Sequence, residues 1–213
     1  MGRTQGFETA VVIAAARDLF WQRGFEATSV TEVERATGVG RSSLYHAFGS
    51  MRGLFDAAVQ DYLNSVIRPR LIPLTAEHVA PDALVTYLVG LADGIRSVDR
   101  ADLPPGCLLL GSATTMCGDT AVHEVITTYL DEVRLALRRG VAAQNPARTD
   151  DEVNHLATVV FGSVVAGLSL ARLDAEGAAA VVDAARVVVT GGALPRPEPE
   201  RRVARLLKQQ SSM

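Results

Sequence analysis

A chain of 213 residues, 48% apolar and 21% charged, is long enough to bury a sizeable core, and it lacks both the composition of a disordered chain and the run of about 18 uninterrupted apolar residues expected of a membrane span. Its formal charge of -3 excludes a uniformly basic nucleic-acid coat, although residues 1–70 hold eight arginines against seven acids and so stand slightly positive beside an acidic remainder. The two cysteines, Cys107 and Cys117, show no CxxC or Cys/His spacing, which excludes a disulfide framework and a zinc site; with no leader-like order at the N-terminus, a cytoplasmic protein is expected.

The first predicted helix runs from about Phe7 to Arg23, where Phe7, Val11, Ala15 and Leu19 recur at i+4 and Val12, Ala16 and Phe20 widen the stripe. Gly24 is placed to end it in the left-handed conformation. Ser29-Val30-Thr31-Glu32 is a capping box, with a serine able to cap the third amide and a glutamate able to reach back, so a second helix starts there. It cannot pass Thr37-Gly38-Val39-Gly40. Arg41 to Phe48 supports a third short helix, Gly49-Ser50 breaks it and offers a new cap, and a fourth helix is expected over about Met51 to Ile67, stopped by Pro69.

Two short helices around a glycine turn make a helix-turn-helix when their facing residues are apolar. Val30, Val33, Val39, Leu44 and Phe48 meet that condition, and with Leu44 inward, Ser42, Tyr45 and His46 turn to the opposite face. A short helix with compact polar groups near its start suits the major groove, while hydroxyls and free amides at Thr28, Ser29 and Ser50, and the charge of Arg52, suit phosphates.

The segments Ala15-Ala16-Arg17-Asp18-Leu19-Phe20, Gly24-Phe25-Glu26-Ala27-Thr28-Ser29-Val30 and Gly38 to Ser50 together resemble the N-terminal domain of the TetR/AcrR family of bacterial repressors. The resemblance covers about the first quarter of the chain. It implies that Arg41, Ser42, Ser43, Tyr45 and His46 lie on a recognition helix, and that Thr28 and Ser29 hold the DNA backbone. The sequence departs from the family pattern at Glu34, where a small residue is usual, and at Met51, where a lysine is usual; Arg52 stands next to the missing charge.

Larger helices follow at about Pro81 to Ser97, Leu103 to Met116, Thr120 to Ala143 (capped by Asp119), Asp150 to Leu173 and Gly177 to Thr190. Pro195, Pro197 and Pro199 predict a stiff linker before a short basic helix at about Glu200 to Gln209. Tyr87, Leu91, Cys107, Met116 and Tyr129 are candidates to line an apolar effector cavity, and each suits a core equally well. Cys107, at a helix start, is open to two readings: an activated thiol, or a small buried apolar residue beside Leu108-Leu109-Leu110. The resemblance adds that some family members sense electrophiles or oxidants through a cysteine in this region. Small residues mark the last two helices, Gly162, Ser163, Ala166 and Gly167 in one and Ala178 to Ala180, Ala184 and Ala185 in the other. In the family the corresponding helices pair with their symmetry mates, and the alternative is packing within one chain.

The expectation is an all-α chain with an N-terminal three-helix DNA-binding domain (1–50), a C-terminal helical bundle for ligand binding and dimerisation (51–194) and a Pro-rich basic tail (195–213). Its partners would be a double-stranded DNA operator, a second copy of the chain and an unidentified small molecule, with no cofactor, no metal and no membrane. His78, His123 and His155 are scattered without ligand spacing. No GxSxG elbow, phosphate loop, dinucleotide fingerprint or HExxH is present, so an enzyme is not expected; a helix-turn-helix used only for protein contacts is the other rival.

Overall fold

The computed structural model describes residues 2–97, 106–116 and 118–192, with side chains from Thr9 onward. Among these residues every regular element is helical: α1 (Gly2–Arg23), α2 (Val30–Thr37), α3 (Arg41–Phe48), α4 (Met51–Tyr62), a π-helical turn (Leu63–Ile67), α5 (Arg68–Thr75), α6 (Ala83–Arg96), α7 (Leu108–Thr115), α8 (Thr120–Gln144), α9 (Asp150–Leu170) and α10 (Ala175–Thr190). The expected proline linker and basic tail helix, and Cys117, lie outside the described residues.

Local chemistry explains most of the helix ends. Ser29 and Glu32 form the expected capping box on α2, Asp119 caps α8 by accepting the Val122 amide, and Thr149 with Glu152 forms a second box on α9. Gly38, at φ 70°, closes α2 in the left-handed region that a side chain rarely adopts, and its amide donates to the Glu34 carbonyl. The buried stripe of α1 is narrower than the i+4 pattern suggests: Val12, Ala16 and Phe20 are buried, whereas Val11 is exposed and Ala15 and Leu19 are half-buried. Of the expected helix-turn-helix core, Val33 and Leu44 are buried, Val39 and Phe48 pack against them, and Val30 is half-buried.

The fourth helix does not stop at Pro69. Its last turn widens into the π turn, and α5 continues with Pro69 in its first turn and Pro73 inside it. Proline lacks an amide donor and crowds the carbonyl four residues back, so an ordinary α turn would break there. A π turn immediately upstream relieves that crowding. Burial then holds the continuation, because Leu63, Val66, Ile67, Leu71 and Leu74 extend one apolar stripe past the proline.

Helix α1 packs along α4, α2 and α3 close over them, and α10 lies between α9 and α6 while α8 packs on α9 and α5. The α9–α10 contact depends on missing side chains. A Cβ on Gly167 would lie 2.6 Å from a Val182 methyl and 3.1 Å from the Ala178 carbonyl oxygen. Gly167→Ala is therefore expected to destabilise the fold by about 1–3 kcal/mol, read as a lowered melting temperature; an unchanged melting point would mean that α9 and α10 are not in this contact.

Candidate nucleic-acid interface and interior site

Leu44 is the buried anchor of α3, and its opposite side is free. Ser42, Ser43 and His46 are exposed, Tyr45 is half-buried, and the exposed Arg41 guanidinium lies over the Tyr45 ring at 5.1 Å from its centroid. Five expected residues thus share one short helix, four of them as hydrogen-bonding groups open to solvent.

The residues expected at phosphates have acquired partners. The Thr28 hydroxyl donates to the Gly24 carbonyl at 2.6 Å, the Ser29 hydroxyl donates to Glu32 at 2.8 Å, and Ser50 caps α4 by accepting the Gly53 amide at 3.0 Å. Arg52 likewise has partners within the chain. Its guanidinium is held by Asp56 at 2.7 Å and by both oxygens of Asp119, so its charge spans α4 and α8. Glu34, the departure in α2, accepts the Arg41 amide at 2.6 Å.

In the interior, Cys107, Met116 and Tyr129 are buried, and Tyr87 and Leu91 are half-buried against the same core. Cys107 forms the N-cap position of α7 at 4% exposure, with its sulfur 3.9 Å from the Tyr129 hydroxyl, which favours the packing role over an accessible reactive thiol. Tyr62, which has no signal in sequence beyond a helical apolar register, joins this group. Burial pushes the Tyr62 and Tyr129 phenols well above their ordinary value, Cys107 adding to the effect, and burial likewise raises Tyr87 to about 12.

A separate cleft of about 320 Å³ opens between α4, α7 and α8. Phe55, Val59, Leu109, Val122 and Val125 give it apolar walls, and Asp56 and Gln60 add polar groups. None of the five expected cavity residues lines it. Three distant chain segments build this space, and no periodicity within one of them marks it.

The small residues of the last helices divide between two faces. Gly167, Ala178, Ala179 and Ala185 are buried within the chain, whereas Val159, Gly162, Leu170, Ala180 and Val188 are exposed, with Ala166 and Ala184 half-buried along the same outer stripe. Helix α9 is long and apolar enough by length and composition to cross a membrane, at a mean hydropathy of 1.6, but only 28% of that stretch is buried in the chain. The outer stripe is thus an uncovered apolar face.

Residues 12–58 match the family model of bacterial regulatory proteins, tetR family. The HTH-type transcriptional repressor BdcR of Escherichia coli (strain K12) is 28% identical over 161 residues, covering 76% of this chain and 79% of that protein. The repressor ComR of the same strain is 32% identical over 120 residues, and the match spans 56% of each protein, about half its length. Among solved structures, a cysteine mutant of the TetR family transcriptional regulator CifR, complexed with 26-bp double-strand operator DNA, aligns with a TM-score of 0.66 at 31% identity and covers 83% of this chain and 94% of that one. The reduced form of E. coli NemR shares the fold, with a TM-score of 0.64 at 16% identity over 89% of this chain and 98% of that one. These relatives are regulators, not enzymes.

The buried phenols carry a prediction about alkaline pH. An unfolded Tyr87 ionises near 10.0 while the folded one keeps its proton to about 12, so its contribution is full below pH 10 and stability falls as pH rises across that window. Phenolate absorbance from Tyr62, Tyr87 and Tyr129 is expected to rise only together with loss of helical circular dichroism. Ionisation of all three in a fully helical protein at pH 10.5 would contradict their burial.

Proposed function

The chain belongs to the TetR family of bacterial transcriptional regulators, and we propose that it works as a cytoplasmic homodimeric repressor that leaves a near-palindromic operator when a small molecule binds. The observation that carries this reading is the free polar face of α3 on a helix whose apolar side is fully committed to the core. A helix of that length enters the major groove, where Ser42, Tyr45 and His46 meet base edges and Arg41 and Ser43 flank them. Backbone amides at the starts of α2 and α4, beside Thr28, Ser29 and Ser50, hold phosphates.

The outer stripe of α9 and α10 supports the dimer, since pairing with a second copy would cover the apolar residues left open in one chain. Two-fold symmetry sets the recognition helices one DNA turn or more apart, and this spacing is what a palindrome reads. The DNA-binding domain then comprises residues 1–50 and the ligand and dimer domain residues 51–194. For the effector, the α4–α7–α8 cleft favours a mostly apolar molecule with few polar groups. Asp119 couples that site to DNA: it caps α8, whose Val122 lines the cleft, and it holds Arg52 in the first turn of α4, three residues after Gly49 ends α3. A ligand that parts α8 from α4 opens this pair, and by linkage DNA must weaken that ligand to the same degree.

Titration against duplexes from the chain's own promoter region is expected to give salt-sensitive, sequence-selective binding, and Ser42, Tyr45 and His46 changed together to alanine should abolish selectivity without lowering the melting temperature. Equal binding to every duplex by the wild type would refute the repressor reading. Ala166→Arg, on the outer stripe, should yield monomers in sedimentation and lower operator affinity by roughly 100-fold or more. An intact dimer would place the interface elsewhere.

A further inference from the structure

The first amides of a helix have no partner inside it. Helices α2, α4, α8, α9 and α10 each meet this need with the side chain of their own cap residue, namely Ser29, Ser50, Asp119, Thr149 and Asp174. Helix α3 starts at Gly40, which has no side chain to offer. Glu34 reaches across from α2 instead, its carboxylate accepting the Arg41 amide at 2.6 Å. That oxygen lies 4.0 Å from where a Cβ on residue 40 would stand, so it sits beside the place a cap side chain would use and takes the first amide of the helix. The bond ties the start of α3 to α2 across the Gly38 turn. Among the described residues no arginine pairs with Glu34, and Arg41 lies over Tyr45, so the carboxylate faces only the amide end of α3.

A helix start with free amides and a positive dipole end is a ready seat for phosphate. A carboxylate on that seat takes an amide and repels a phosphate. We propose that Glu34 is a positioning residue for DNA recognition, supplying the cap of α3 from the neighbouring helix and barring that helix start from the phosphate backbone, so that α3 engages base edges. This inference rests on the DNA-binding reading above.

The test measures wild type, Glu34→Gln, Glu34→Ala and the double variant E34A/G40S against the duplex the wild type selects and a scrambled duplex, over a series of salt concentrations. Glu34→Gln keeps an acceptor for Arg41 without the charge. It is expected to hold operator affinity within about threefold, to gain roughly fivefold or more on scrambled DNA, and to steepen the salt dependence of that binding, since one negative charge is removed from the interface. Glu34→Ala should lose roughly tenfold in operator preference. In the double variant a serine is placed at an N-cap whose backbone is already extended, at φ -67° and ψ 152°, and it should restore operator affinity while binding to scrambled DNA stays raised. Melting curves identify the folded variants. Unchanged preference and salt slope in folded Glu34→Ala, or in Glu34→Gln should the alanine variant not fold, would overturn the role of Glu34, as would a folded double variant that fails to regain affinity. Loss of selectivity in the wild type would instead overturn the DNA-binding reading itself.

Discussion

Phe55 lies in the middle of α4, fully buried, edge-on to Phe20 of α1 at 5.5 Å between ring centroids and 4.7 Å from Phe25 in the loop that follows. Next to Phe20, Trp21 meets Tyr62 edge-on at 4.8 Å, and about one turn earlier on α1 Arg17 reaches Asp61 at 2.7 Å. Aromatic contacts of this geometry add to the area they bury, and a small helix-turn-helix has little other apolar surface with which to hold itself together. The aim of α3 follows from this packing. Leu44 and Phe48 pack into the same core as these rings, α3 resting on α4, so the direction of the polar face is fixed by packing behind it.

The same helix carries the connection to the rest of the chain. Because the π turn lets α4 run on into α5 past Pro69, a single rod extends from the residue after Ser50 to Thr75, with α1 beside its first half and α8 beside its second. Arg52 joins the start of that rod to the cap of α8. At the far side, Arg172 beyond α9 donates to the Gln22 carbonyl at 2.8 Å and to the Trp21 carbonyl, closing the last turn of α1 from the opposite half of the molecule. Helix α8 and the residues after α9 are thus tied by side-chain hydrogen bonds to both ends of the helix-turn-helix.

Acids and bases in this chain are arranged less as a field than as local pairs. Arg52 meets two carboxylates, Arg96 meets Asp183, and Arg68 meets Glu132 at 3.0 Å, so much of the arginine charge is spent inside the protein. The outer face of α3 accordingly presents hydrogen-bonding groups and one stacked arginine rather than a concentration of charge, in keeping with a chain whose formal total is -3.

What the sequence by itself determined was everything that acts over three or four residues. The capping boxes at Ser29 and Thr149, the Asp119 cap, the turn at Gly38 and the outward face of Ser42 and His46 follow from hydrogen bonds and periodicities internal to one segment. Tertiary structure decided what depends on residues far apart in the chain. It carried α4 beyond Pro69, since burial of Leu71 and Leu74 against other helices outweighs a local break. It turned Arg52 toward an aspartate 67 positions away, brought Tyr62 to Cys107 and Tyr129, and sorted the small residues of α9 between an inner and an outer face. A side chain's charge and size are written in the sequence, but its partner is chosen by the packing of helices that are remote from it in the chain.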